Sequence, residues 1–168
     1  KPCILTIRRE MDGGKFSGSD FSRTTLFARA LSFANTDKSK NFAYVDFEDD
    51  FNIPSIQDAA QAFGVKIIRS HHNMTGPVSN IREKMATMRK TGYEIPKIAF
   101  MPRSLADVET LFREASQIKD FDFILCAMGV EGFPSRVLAS LSNSYLTFVS
   151  PKEVIEHTKF LGHIDPET

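Results

Sequence analysis

Six short apolar runs, rich in β-branched and aromatic residues, recur along the 168 residues, and segments of helical period lie between them. The runs are "CILTIR" (3–8), "FAYVDFE" (42–48), "VKIIRSHH" (65–72), "KIAFMP" (97–102), "FDFILCAMG" (121–129) and "YLTFVS" (145–150). Between them, "SRTTLFARALSFA" (22–34) sets Leu26, Phe27, Ala30 and Leu31 on one helix face, and "SIQDAAQAFG" (55–64) ends in a C-cap glycine. "PVSNIREKMATMRKTG" (77–92) runs from proline to glycine with Ile81, Met85 and Met88 as its stripe, and "LADVETLFREASQI" (105–118) carries Val108, Leu111 and Phe112. These are ordinary helix start, stop and face signals. Strand–helix alternation predicts a parallel sheet with helical crossovers. Strands that are apolar along their whole length fit a sheet covered on both faces. No Gly-rich loop follows the first run, which argues against a nucleotide-binding sheet.

The polar residues able to do chemistry gather at the C-terminal ends of several strands. Arg8 ends the first, Glu48 the second, and His71 and His72 the third, while Gly129 to Arg136 follow the fifth. A (β/α)8 barrel of the TIM type builds its site from such strand ends. Six strands are two short of that closed barrel, and an open sheet exposes two unpaired edges. Without repeats or a linker, the chain reads as one domain over 1–168.

Charge narrows the partners. Lys plus Arg and Asp plus Glu number 21 each, so the net charge is zero. That argues against non-specific binding to nucleic acid or to an acidic membrane surface. No apolar run is long enough to span a bilayer. Cys3 and Cys126 lie in apolar runs and read as reduced core residues of a cytoplasmic protein. No pair of histidines or cysteines has zinc-site spacing.

Lys97 stands inside the apolar run "IPKIAFMP" (95–102). The ordinary reading is a strand-end lysine whose stem snorkels to water. The alternative is a desolvated amine, since burial disfavours the ammonium form. Such an amine attacks a carbonyl to form a Schiff base, which then acts as an electron sink. The adjacent carbon becomes acidic, and a nearby base is required. "SHHN" (70–73) supplies histidine, the residue suited to that work near neutrality. Adjacent strand residues point to opposite faces, so one of the two shares a face with the lysine strand. Arg8, in "TIRREMDGG", and Arg136, in "GFPSR", are candidates to grip a carboxylate, whereas Arg9 reads as a solvated surface arginine. The turn "DGG" (12–14) brings Asp12 back over the strand end.

These residues, in this order, resemble type I 3-dehydroquinate dehydratase. "KPCILTIRREMDGG" is similar to that family's K-P-(apolar)-T-x-R-(x)-E-G-G segment, and "AYVDFE" to its I-D-L-E strand. "RSHHNMTGP" resembles S-x-H-(D/N)-F-x-x-T-P and puts the family's catalytic histidine on His72, not His71. "GYEIPKIAFMPRSLADV" resembles A-D-I-(P/V)-K-I-A-x-M-P, whose imine-forming lysine falls on Lys97. "AMGVEGFPSR" is similar to M-G-x-x-G-x-x-S-R and gives Met128 and the carboxylate-binding Arg136, while "YLTF" matches the next strand and supplies Phe148. The resemblance implies a small-molecule substrate, 3-dehydroquinate, dehydrated to 3-dehydroshikimate without cofactor. Lys97, His72 and Asp12 would be catalytic; Arg8, Arg136, Met128, Phe148 and His163 would bind substrate.

Three departures stand out. Asp12 is one methylene shorter than the family's glutamate. "KFLGH" (159–163) occupies the place of the family's Ser-Ala-Pro-Gly-Gln lid, so serine falls on Lys159 and glutamine on His163. The family also has two strands before "KP", the second bearing Glu-x-Arg-x-Asp, and neither is present. The expected fold is therefore a TIM-type barrel lacking its first two strands, part of a longer chain, forming a homodimer or associating through its sheet edges. Two other readings remain: a non-catalytic barrel remnant that at most binds a small carboxylate, and a class I aldolase with a barrel-strand lysine.

Overall fold

A computed structural model describes residues 2–33, 40–154, 162, 163 and 165. It contains strands β1 (Ile4–Thr6), β2 (Tyr44–Glu48), β3 (Lys66–Asn73), β4 (Glu94–Phe100) and β5 (Ile124–Ala127). They alternate with helices α1 (Asp20–Ser32), α2 (Pro54–Ala62), α3 (Ile81–Met88), α4 (Leu105–Ala115) and α5 (Phe133–Val137). The five strands form one sheet in the order β1-β2-β3-β4-β5. The pairs β1/β2, β2/β3 and β4/β5 are parallel. The chain divides into two compact units, Lys1–His71 with Met88–Ile95, and His72–Thr87 with Pro96–Thr168.

In the first unit β2 alternates Val45 and Phe47 with Asp46 and Glu48, and all four are buried. The apolar pair joins Phe27, Leu31, Phe51, Ile56 and Ala60 in one core. Phe27 meets Phe47 edge-on at 4.9 Å between centroids, a favoured aromatic geometry. α1 starts at Ser19, whose side chain accepts the Ser22 N–H at 3.2 Å, and Pro54 opens α2, where a missing N–H costs nothing.

In the second unit, the β4 residues from Pro96 onward and all of β5 are buried. Lys97 pairs with Ile124, Ala99 with Cys126 and Phe100 with Ala127. α4 lays Val108, Leu111 and Ala115 into the interior. Its first turn is fastened by Asp107, whose carboxylate accepts the N–H groups of Arg103 (2.7 Å) and Ser104 (3.2 Å).

Several expectations need correction. The run 145–150 forms no strand. Tyr145 N–H reaches Phe123 O at 2.8 Å, but the next donor, Leu125 N–H, is taken by Ser144 Oγ at 3.1 Å. A side chain thus stands where the ladder would have continued. The helix expected over 77–92 is confined to Ile81–Met88. Beyond it, the Glu94 carboxylate accepts from both N–H and Oγ–H of Thr91, which favours a turn. Leu26, expected on the buried face of α1, is 43% exposed. Cys126 is buried, but Cys3 is exposed.

Candidate functional site

Lys97 is 6% exposed, in the middle of a strand with no exposed residue. Its stem does not snorkel to water. The ammonium nitrogen Nζ lies 4.3 Å from the centroid of the Phe148 ring, where the ring face attracts a cation.

Sheet register places the histidine. Met101 N–H donates to Asn73 O at 2.9 Å, the relation that Met128 N–H has to Phe100 O where Phe100 pairs with Ala127. Asn73 therefore lies opposite Phe100, and His72 opposite Ala99. Ala99 and Lys97 share a strand face, so His72 is on the face of the lysine, one strand over and two positions on. Ala99, Cys126 and Met128 form a buried cluster on this side, with Met74, Met101 and Phe148 packed against it. His71, in the first unit, instead meets Asp49 at 3.2 Å between Nδ1 and Oδ2.

Arg136, on α5, is 3% exposed, and its Nη1–H donates to Phe148 O at 3.3 Å. Burial pulls its guanidinium below the ordinary value, against a smaller upward pull from Cys126. His163 has Nδ1 at 2.7 Å from Ser150 Oγ. Burial, then the charges of Arg136 and Lys97, lower its pKa to about 4. The second unit thus gathers an amine, an aromatic face, a buried guanidinium, a neutral imidazole and a thioether around the strand ends.

The first unit holds Arg8 and Asp12, both already engaged. Arg8 reaches Asp46 at 2.7 Å and Glu48 at 2.8 Å, and donates to Ser70 Oγ at 2.9 Å. Burial works to lower its pKa, but the two carboxylates prevail and raise it. The other oxygen of Glu48 accepts from Arg23 Nη1 at 2.7 Å, and Arg23 is wholly buried. Asp12 ends a short 3-10 turn (Glu10–Asp12) that Gly13 closes with φ of 81°, and it pairs with Arg9 Nε at 2.6 Å. Arg9, read from sequence as a solvated surface residue, is also held by both oxygens of Asp50. Its pKa is raised: burial opposes, and the two aspartates overcome it.

Sequence reasoning missed Arg23, Asp46, Cys126 and Ser150. Period two from Met128 would have placed Cys126 on the Lys97 face. Nothing in the sequence distinguishes Ser150 from any loop serine. Lys159 lies outside the described residues. Among those residues, no group of three or more His, Cys, Asp or Glu could hold a metal ion. Nor, among the described residues, is any helix long and apolar enough to cross a membrane.

A family model described as type I 3-dehydroquinase matches residues 1–163, through both units. A 3-dehydroquinate dehydratase from Klebsiella pneumoniae is 32% identical over 156 residues, covering 88% of this chain and 60% of that protein. One from Archaeoglobus fulgidus is 36% identical over 155 residues, covering 90% of this chain and 72% of its own. Among solved structures, a type I 3-dehydroquinate dehydratase from Clostridium difficile, solved with covalently modified comenic acid, superposes with a TM-score of 0.79 at 25% identity. It covers 98% of this chain and 64% of its own. The chain thus spans about 60% of the length of the first curated relatives it matches.

Proposed function

This chain belongs to the type I 3-dehydroquinase family, and from that premise we propose that it is a lyase dehydrating 3-dehydroquinate to 3-dehydroshikimate in the shikimate pathway through a Schiff base on Lys97. The observation that carries this reading is the burial of Lys97 within β4, on the sheet face it shares with His72. The covalently modified acid in the Clostridium difficile relative supports it.

The chemistry runs in four steps. The neutral amine of Lys97 adds to the substrate ketone, and the carbinolamine hydroxyl, taking up one proton from a general acid, leaves as water to give the protonated imine. His72 then takes the C2 proton, and the electron pair moves into the imine. His72 returns that proton to the C1 hydroxyl, which leaves as water. A final water hydrolyses the product imine and frees Lys97. The Phe148 face suits the cationic iminium as it suits the ammonium. Arg136 grips the carboxylate: a guanidinium that burial disfavours gains from an arriving anion. Met128 walls the ring. Arg8 and Asp12 keep their expected substrate-binding and catalytic roles on the strength of the resemblance alone. We place the enzyme in the cytoplasm, as one domain over 1–168 that forms a homodimer or associates through its sheet edges.

Borohydride reduction in the presence of 3-dehydroquinate tests the assignment. A mass adduct on Lys97, absent in Lys97→Ala, is expected; a folded protein that forms none would leave only the remnant reading. His72→Ala should slow turnover by at least ~10², the scale of a lost general base, while His71→Ala should matter little. Equal effects of the two substitutions would overturn the choice of base.

A further inference from the structure

His163 is held from two sides by groups with no part in the steps above. Ser150 is 4% exposed, and its Oγ lies 2.7 Å from Nδ1 of the ring. Gly162, just before the histidine, has φ of 71° and lies directly on the backbone of the turn after β5. A Cβ at Gly162 would fall 2.3 Å from Gly129 O, so only glycine brings the chain this close. The β5 turn fixes the backbone that enters His163, and Ser150 fixes the ring.

A neutral imidazole carries one N–H, and the hydrogen bond made by one nitrogen decides what the other does. The charged groups bearing on this ring are Lys97 from β4 and Arg136 from α5, with Cys126 of β5 acting on Arg136. Two cations oppose a third, so the ring is suited to hydrogen bonding rather than to carrying a proton. Beside a guanidinium placed for a carboxylate, the useful partner for the substrate's oxygens is a neutral donor.

We propose that Ser150 is a positioning residue: its Oγ–H donates to Nδ1 of His163, leaving Nε2–H as a fixed donor to an oxygen of a hydroxylated cyclic acid bound at Arg136. The inference rests on the proposed function for the identity of that acid. A ring already locked in one rotamer and one tautomer loses little freedom when substrate arrives.

Nitrogen-15 NMR of histidine-labelled full chain, without substrate, reads the tautomer directly. The wild type should show His163 as the Nε2–H form at pH 7, Ser150→Ala a mixture of forms, and Ser150→Thr the wild-type form. With 3-dehydroquinate, Ser150→Ala should raise KM about tenfold, the size of one lost hydrogen bond, with kcat within about twofold, and Ser150→Thr should restore KM. An Nδ1–H form in the wild type, or unchanged tautomer and KM in Ser150→Ala, would overturn the proposal. A fall in kcat at constant KM would do so as well. Failure to form the Lys97 adduct would sink the assigned reaction while leaving the tautomer result standing, so the two failures are separable.

Discussion

At the scale of single residues, the site's most informative members are those whose surroundings contradict their chemistry. Lys97 and the two histidines could be picked out because each is anomalous within an apolar run. The division of His71 and His72 between faces followed from strand period, whereas the burial of Lys97 did not: sequence left a snorkelling strand-end lysine as the ordinary reading, and the structure decides for burial. Arg9 could not be read: sequence shows neither Asp12 nor Asp50 converging on it. Nor does sequence show that His163 is held neutral, because the causes are its burial first, then the charges of Arg136 on α5 and Lys97 on β4. That state has a consequence for stability. Its folded pKa is about 4 against an ordinary 6.5, so between those values the unfolded chain binds the proton and the folded chain does not. Stability rises with pH wherever the unfolded state holds more protons. The contribution of His163 is therefore complete above pH 6.5, declines as pH falls toward 4, and changes no further below. Melting temperatures at pH 7 and pH 5 should fall less in His163→Gln than in the wild type. Parallel falls in the two proteins would show that the ring is not held neutral.

At the scale of elements, five strands and four helices follow the hydrophobic pattern because each carries an apolar stripe or an apolar run. The failures occur where a side chain overrides the backbone. Ser144 Oγ replaces a ladder acceptor and prevents the run 145–150 from becoming a strand. α5 has only five residues and follows from Ser135 rather than from any periodicity. The Ser135 hydroxyl bonds Gly132 O at 2.7 Å and accepts Ala127 N–H at 2.9 Å, tying the helix to the end of β5 and delivering Arg136. α4 depends on Asp107 in the same way. Its carboxylate satisfies two N–H groups at the start of the helix that follows the lysine strand, groups that the helix itself cannot pair. Asp107→Ala should therefore destabilise the protein by about 1 kcal/mol, as loss of a helix cap does. Chemical denaturation measures this: the midpoint should fall with an unchanged denaturant slope. An unaltered midpoint would mean that water replaces the carboxylate at no cost.

At the scale of the whole molecule, the strand order among the described residues ends on β1 and β5, and an end strand is a template for pairing. Cys3 O accepts the N–H of Tyr44 at 3.2 Å, so Cys3 and, by alternation, Leu5 present their backbone to β2. Ile4 and Thr6 turn theirs to the other side. Thr6 is also exposed at its side chain, leaving β1 none of the charge or proline with which edge strands resist pairing. This edge should make the chain self-associate, with a weight-average mass in sedimentation equilibrium that climbs with protein concentration. A lysine at Thr6 introduces charge at an exposed edge position without removing a bond to β2, and like charges brought together across an edge repel. Thr6→Lys should therefore shift the equilibrium toward the monomer while retaining the wild-type melting temperature. If the wild type instead sediments as one monomeric species at every concentration, β1 is not an adhesive edge.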